Sequence, residues 1–329
     1  MELVSMLIRD HYGMEVKEAR KMTIGAGSNT WMLRTERGQY ILKNANINEA
    51  NNPQNEPAFC EHLRQKGLPV SEFVRDLQGQ FVWTHCGEVY HLQKFIEGNC
   101  PAWHSAPPWL LRESAQLLGR IHTALEDYTA LPVGIGEGFF LHMTPQTALR
   151  SYRNTLRLAK RAGDKAIADD LNYRIELMKR LAIPPIEIRR LTCRNTHGDY
   201  FISNLICGES NINAVIDWTT ACVHPVVWEI LRSYVYAAPE CGEGKINIVA
   251  CVDYVREYQQ FAALTTNDLQ MMPWLFFYQI AVCDYYNQYY QSQAANREIY
   301  LKQAVLSTRL MQWFERNAEE LSRTLCSLK

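Results

Sequence analysis

The sequence predicts an α+β protein of two lobes, a small antiparallel sheet with one helix followed by a larger, mostly helical lobe. Residues 14–96 contain short segments of strand-like alternation, whereas residues 97–329 place apolar side chains mainly at helical spacing. A loop with three prolines, EGNCPAWHSAPP, lies where the two patterns meet. We therefore expect one lobe over residues 1–96 and a second over 97–329, joined at about 93–99.

The first lobe is predicted to begin with a short amphipathic helix over residues 1–13. EARKMTI, NTWMLRT and QYILK then alternate like strands; IGAGS separates the first two, and ERGQ is the turn between the second and third. A helix is expected near 57–66 because Pro57 suits a first helical turn. PVSEFVRD, QFVWTH and EVYHLQKFI are predicted as further strands.

The second lobe is predicted to be helical apart from one strand pair, NLIC and AVIDW. In WLLRESAQLLGRIHTAL the apolar positions share one helix face, on which His122 is interpreted as a packed core histidine. Residues 146–182 are expected to be long, charged helical sequence. The aromatic run at 274–291 fits a packed core helix better than an acceptor pocket.

Composition excludes several classes of partner. The chain has 34 basic and 35 acidic residues among 329, which is not the charge of a protein that binds a nucleic-acid backbone. Its ten cysteines form no CxxC pair and indicate a reducing, cytoplasmic setting. We expect that the N-terminus is not a signal peptide, and the longest apolar run, MMPWLFFYQIAVC, is too short to cross a bilayer.

The chemistry is expected at the predicted strand pair in the second lobe. THGDYFISNLI contains Asp199 and Asn204, and VIDW contains Asp217. A hairpin that turns between Ser210 and Asn211 would bring Asn204 and Asp217 side by side at its open end. Such a pair can supply oxygen ligands to Mg²⁺, which takes its other ligands from phosphates. Asp199 is then free to accept a hydrogen bond from an attacking hydroxyl, as phosphoryl transfer requires.

The first lobe has residues suited to holding the phosphates. IGAGSNT places Gly25 and Gly27 between two strands, but it is not a P-loop, because no GK[ST] follows and the next element is a strand. Lys43 ends the third strand, and Glu56 at the start of the next helix is placed to pair with it.

This order of motifs resembles the aminoglycoside phosphotransferase/choline kinase superfamily over residues of about 20 to 240. HGDYFISN and VIDW are similar to the family's catalytic and metal-binding motifs, EPAFCEHLRQKGLPV to its helix followed by G-x-P-V, and QKFIEG to its interlobe hinge. The resemblance implies a protein-kinase-like fold that uses ATP and Mg²⁺ to phosphorylate a hydroxyl of a small molecule. The candidate acceptors are amino sugars, homoserine, methylthioribose, choline and aminoglycosides.

The resemblance also implies roles for individual residues. Asp199 would be the catalytic base, Asn204 and Asp217 the metal ligands, and His197 a structural brace. On the nucleotide side, Lys43 would contact the α- and β-phosphates and pair with Glu56. The triphosphate loop would contain Gly25, Gly27, Ser28 and Asn29, and adenine would bond to the Lys94 carbonyl and the Ile96 amide.

Three departures from the family pattern bear on these roles. Glu229 stands where Asp is usual, Pro57 directly follows the presumed partner of Lys43, and Tyr200 with Phe201 replaces small or polar residues. Tyr200 is therefore an acceptor-side candidate, together with Trp218 and Asp284.

Two other functions are weighed against a small-molecule kinase. One is a non-catalytic relative that binds nucleotide or serves as a structural, spore-coat-type protein; the intact set of Asp199, Asn204, Asp217 and Lys43 argues against it. The other is a protein kinase, which the sequence disfavours because it lacks HRD, DFG and APE segments.

Overall fold

A helix and an antiparallel sheet form the first part of the chain. The computed structural model describes residues 2–22, 29–45, 55–292 and 294–328. The elements up to the joint are α1 (Glu2–Tyr12), β1 (Val16–Met22), β2 (Asn29–Thr35), β3 (Gly38–Ala45), α2 (Asn55–Gln65), β4 (Phe73–Val74), β5 (Val82–His85) and β6 (Glu88–Lys94).

The described strands of this lobe form one antiparallel sheet in the order β1-β2-β3-β6-β4, with β5 also paired to β6. β2 and β3 meet at Thr35 and Gly38, so the turn falls within ERGQ as predicted. α1 covers one face of the sheet, because its apolar positions recur every three to four residues. The buried cluster between them includes Leu7, Ile8, Leu33, Leu42 and Leu92.

The rest of the chain is mostly helical. Its elements are α3 (Pro108–Ala124), α4 (Glu137–His142), α5 (Pro145–Ala162), α6 (Lys165–Arg180), β7 (Cys193–Thr196), β8 (Leu205–Cys207), β9 (Ile212–Val215), β10 (Cys222–Pro225), α7 (Val226–Ala237), α8 (Ile248–Gln259), α9 (Thr266–Val282), α10 (Tyr285–Gln291) and α11 (Ala294–Cys326). α7 and α9 lie at the centre of its core, where most of their side chains are buried.

The predicted α+β fold with two lobes is confirmed, and two local expectations need correction. Residues 146–182 are helical as expected and form two helices, because Gly163 adopts a left-handed conformation with φ of 76° and ends α5. PVSEFVRD contributes only the two-residue strand β4. A second strand pair, β7 with β10, flanks the β8–β9 hairpin and was not predicted. No helix in the described part of the chain is long and apolar enough to span a membrane.

The two parts of the chain meet at the β8–β9 hairpin. The amide of Val215 donates to the carbonyl of Pro69, 2.9 Å away, and Asn99 exchanges two backbone hydrogen bonds with Cys207. Gly98 lies so close to this hairpin that a β-carbon there would be 2.5 Å from the Cys207 carbonyl oxygen. The joint after β6 is therefore packed directly against the hairpin that carries the predicted site.

Candidate active site

The β8–β9 hairpin brings the predicted metal ligands close together, with a small difference in register. The amide of Ile216 donates to the Asn204 carbonyl oxygen at 3.0 Å, so Asn204 lies opposite Ile216. The turn is centred between Glu209 and Ser210, one residue earlier than predicted, which alone would place Val215 opposite Asn204. A shift of one residue between Ile206 and Cys207 moves the residue opposite Asn204 to Ile216, so Asp217 lies one residue beyond it. Asp217 adopts a left-handed conformation with φ of 65°. Such strain is uncommon outside glycine and often accompanies functional sites.

The loop that carries Asp199 is held against the end of this hairpin. The ring of His197 accepts from the Asp199 amide at Nδ1 and donates from Nε2 to the Ile216 carbonyl oxygen, at 3.2 and 2.9 Å. Gly198 has φ of 80°, and a β-carbon there would come within 2.0 Å of the Thr220 carbonyl oxygen. Only glycine fits this position, so the close approach depends on the His-Gly pair before Asp199.

Asp199 is bonded to two side chains. Its Oδ1 lies 2.6 Å from Nη2 of Arg232, a residue of α7. The Asn204 side-chain amide donates to the carbonyl oxygen of Asp199 at 2.9 Å and to its Oδ2 at 3.3 Å. Burial raises the pKa of the Asp199 carboxyl, and the positive charge of Arg232 offsets part of that effect.

Lys43 of β3 connects the sheet to the hairpin. Its Nζ donates to Oδ1 of Asp217 at 2.6 Å. Burial alone would raise the pKa of Asp217, but the charge and hydrogen bond of Lys43 outweigh it and the pKa is lowered. Glu56 is buried and accepts from the Trp218 amide at 3.1 Å. Burial raises the pKa of Glu56, whereas the nearby charge of Lys43 opposes that rise.

The structure describes some of the other residues predicted to bind the nucleotide. Gly25, Gly27 and Ser28 lie outside the described residues, whereas Asn29 begins β2 and is exposed. Lys94 ends β6, where its side chain pairs with Glu72 at 2.7 Å. Ile96 lies half-buried in the segment that follows.

A cleft of about 1090 Å³ opens beside these residues. Asp199, Asn204 and Asp217 all contribute to its wall. The other lining residues come from the segment after the joint, the loop that carries Asp199, the residues after Asp217, the turn after α7, and α11: Ala102, Trp103, His104, Phe201, Ser203, Thr219, Thr220, Gly242, Ile299, Leu301, Lys302, Val305, Leu306 and Arg309.

The predicted acceptor-side residues are corrected by the structure, because they are not among the described residues that line this cleft. Tyr200 is fully buried and donates its hydroxyl hydrogen to the Ser114 carbonyl oxygen. Trp218 packs against Phe59 and His197 in the core. Asp284 caps α10 and accepts hydrogen bonds from Ser151 and Thr155. All three have structural contacts that the sequence could not reveal.

A buried network supports the loop that carries Asp199 from the side of α7. Glu229 of α7 accepts from the Tyr200 amide at 3.4 Å and lies 3.0 Å from Nε2 of His122. The His122 Nδ1 is 2.8 Å from the Tyr258 hydroxyl, so His122 is a packed core histidine as predicted. Burial alone would raise the pKa of Glu229, but His122 and His224 lower it to about 2. Glu229 thus braces the loop although the related motif has Asp.

Three groups of residues at the site were not predicted from the sequence. Arg232 carries no motif, because a single basic residue in the apolar helix α7 gives no signal of its partner. Trp103 and His104 belong to the proline-containing loop and reach the cleft only through the path of that loop. α11 lies far along the chain and contributes a wall that only tertiary packing defines.

The fold and this cleft define the class of protein as a small-molecule kinase, as the comparisons with known proteins support. Residues 18–243 match the phosphotransferase enzyme family known as APH, and the chain belongs to that family. A homoserine kinase of Zymomonas mobilis is 21% identical over 260 residues, covering 75% of this chain and 73% of its own.

Solved structures show the same fold at low sequence identity. An amicoumacin kinase in complex with AMP-PNP and Ca²⁺ superposes with a TM-score of 0.64 at 13% identity, covering 93% of this chain and 92% of its own. A microcompartment-associated aminopropanol kinase superposes with a TM-score of 0.61 at 15% identity. That superposition covers 99% of this chain and 100% of the aminopropanol kinase. Identity at this level establishes the fold alone.

The oxygen atoms beside the cleft suit a divalent cation that takes some of its ligands from the protein and the others from phosphates. Because the Asn204 amide nitrogen donates to Asp199, its Oδ1 is left to act as a ligand. Asp217 supplies a carboxylate whose lowered pKa keeps it ionised. Among the described residues no group of three or more His, Cys, Asp or Glu forms a metal cluster. Mg²⁺ commonly binds through one or two protein ligands and takes the rest from phosphates and water.

Proposed function

We propose that the protein is an ATP- and Mg²⁺-dependent kinase that transfers the γ-phosphate to a hydroxyl of a small metabolite. The observation that carries this proposal is the convergence of Asp199, Asn204 and Asp217 on one cleft. Residues 1–96 would form the nucleotide-binding lobe and residues 97–329 the lobe that binds the acceptor. The family and the solved relatives support transfer to an alcohol.

Each residue has a distinct task in this proposal. Asp199 accepts the proton of the acceptor hydroxyl as its oxygen bonds to the γ-phosphorus and the bond to the ADP oxygen breaks. Asn204 and Asp217 would hold Mg²⁺, which when bound neutralises negative charge on the phosphates. Lys43, already paired with Asp217, would contact the α- and β-phosphates. Catalysis then depends mainly on positioning and charge neutralisation.

The charges of the cleft favour a small alcohol over a polycationic drug. Asp199 and Asp217 are the carboxylates among its described lining residues, and each is already paired with a cation, Arg232 or Lys43. Lys302 and Arg309 add positive charge on the α11 wall. Among the described lining residues, a polycation would therefore meet no carboxylate that is not already paired with a cation. Homoserine and aminopropanol, the acceptors named for two relatives, are therefore better candidates than aminoglycosides.

A screen for ATP consumption tests the proposal. Purified protein is incubated with ATP, Mg²⁺ and each of homoserine, aminopropanol, choline, methylthioribose, an amino sugar and an aminoglycoside, and the phosphorylated product is identified by mass spectrometry. Asp199→Asn is the matched control; we expect it to bind ATP normally and to lower turnover by ~10²-fold or more. Equal turnover in the variant would remove Asp199 from the role of base. ATP binding without turnover on any acceptor would favour the non-catalytic alternative.

A further inference from the structure

Arg232 makes the closest side-chain contact recorded for the proposed base. Its Nη2 lies 2.6 Å from Oδ1 of Asp199, and its own side chain is only 15% exposed. A charge-assisted hydrogen bond of this length is among the stronger polar contacts in proteins. The pair joins the catalytic loop to α7, the helix that also carries Glu229.

The guanidinium is clamped between aromatic rings. Its central carbon lies 4.7, 5.4 and 5.2 Å from the ring centres of Phe201, Trp228 and Tyr236. These distances are within the range of cation–π attraction, which is stronger where water is excluded. The Nη1 atom is buried as well and has no hydrogen-bond partner among the described residues. Arg232 therefore has little freedom to swing away from Asp199.

This clamp determines which part of the Asp199 carboxylate faces the acceptor. Arg232 occupies Oδ1, whereas the hydrogen bond from Asn204 to Oδ2 is longer, at 3.3 Å. Each carboxylate oxygen has two lone pairs, so Oδ2 can still accept from a hydroxyl. Without Arg232 the carboxylate would be held at one oxygen only, by the weaker of its two contacts, and could rotate about its χ angles.

We propose that Arg232 is a positioning residue that fixes the Asp199 carboxylate so that Oδ2 receives the acceptor hydroxyl. The inference rests on the proposed function. A misplacement of about 1 Å in a reacting group can cost ~10²-fold in rate, which sets the size of the effect. Because Arg232 acts through Asp199, its removal affects turnover and leaves ATP affinity unchanged.

A double-mutant cycle tests this role. Arg232→Gln removes the charge and the bond to Oδ1, Arg232→Lys keeps the charge, and both are also made in the Asp199→Asn background. Arg180→Gln is the matched control, since Arg180 forms a 2.8 Å pair with Glu315 on the protein surface. For each protein we measure kcat, the KM for the acceptor and the dissociation constant for ATP, together with the thermal midpoint.

We expect Arg232→Gln to lower kcat by ~10²-fold with ATP affinity unchanged, and Arg232→Lys to recover part of it. In the Asp199→Asn background Arg232→Gln should change the residual rate by less than ~3-fold, because residues that act as a unit are not additive. If Arg232→Gln lowered kcat by the same factor in the wild type and in the Asp199→Asn variant, the proposal would be overturned, since a purely structural role predicts additive effects. An unaffected kcat would overturn it too.

A crystal structure of Arg232→Gln gives a second measurement that does not depend on turnover. The Asp199 side chain should leave its wild-type rotamer or occupy several, whereas an unchanged single rotamer would overturn the proposal. Failure of the proposed function would look different: the wild-type protein itself would transfer no phosphate to any alcohol.

Discussion

Glu229 offers a quantitative test of how α7 supports the loop that carries Asp199. It is fully buried, with its pKa lowered from the usual 4.5 to about 2. A group whose pKa is lowered on folding stabilises the protein above its unfolded pKa and loses that contribution as pH falls towards the folded value. A difference of about 2.5 pKa units corresponds to ~3 kcal/mol at neutral pH. By the same relation, the contribution of Glu229 to the free energy of unfolding falls to ~2 kcal/mol at about pH 3.5.

The substitution Glu229→Gln removes the charge while keeping the size of the side chain. We expect it to lower the free energy of unfolding by ~3 kcal/mol at pH 7, because the buried His122 and Tyr200 amide lose their anionic partner. Urea unfolding of both proteins between pH 7 and pH 3.5 measures the effect, and the gap should narrow by ~1 kcal/mol across that range. A pH-independent gap would refute the assignment of an ionised Glu229.

Two further substitutions test the site itself. Lys43→Ala should raise the KM for ATP by ~10-fold or more through loss of a charge-assisted phosphate contact, and an unchanged steady-state ATP dependence would count against Lys43. Gly198→Ala should abolish most activity and lower the thermal midpoint, because its β-carbon would collide with the Thr220 carbonyl oxygen. Gly79→Ala is its control, with the same φ of 80° and open space around the added carbon, so it should cost only the ~1–2 kcal/mol of left-handed strain; equal losses in the two variants would argue against the close approach at Gly198.

Local patterns in the sequence were sufficient for most of the elements and for the central hairpin. The period of α1, the alternation in β2 and the turn at ERGQ are set by neighbouring residues, and the structure has them where they were predicted. The hairpin register was one residue off because the turn is centred between Glu209 and Ser210 and not between Ser210 and Asn211, and the extra residue on one strand offsets only part of that difference.

Tertiary contacts explain the errors on the acceptor side. Tyr200, Trp218 and Asp284 were chosen for their residue types and their places near the motifs, yet each is used by the core or by a helix cap. Successive residues of an irregular loop can point in opposite directions, which is why Phe201 lines the cleft while its neighbour Tyr200 is buried. No spacing rule could separate the two.

The contacts of Arg232 with Asp199 and with the aromatic rings could not be predicted from the sequence either. Arg232 is separated from Asp199 by more than thirty residues, and the aromatic rings that clamp it come from both the catalytic loop and α7. The contribution of α11 to the cleft likewise depends on the packing of the whole helical lobe.

The most direct test of the account is a crystal structure of the protein with Mg²⁺ and a non-hydrolysable ATP analogue. We predict a cation ~2.1 Å from Oδ1 of Asn204 and from a carboxylate oxygen of Asp217, with the γ-phosphate in the cleft facing Asp199. A cation held by other residues, or a triphosphate bound away from this cleft, would contradict the account.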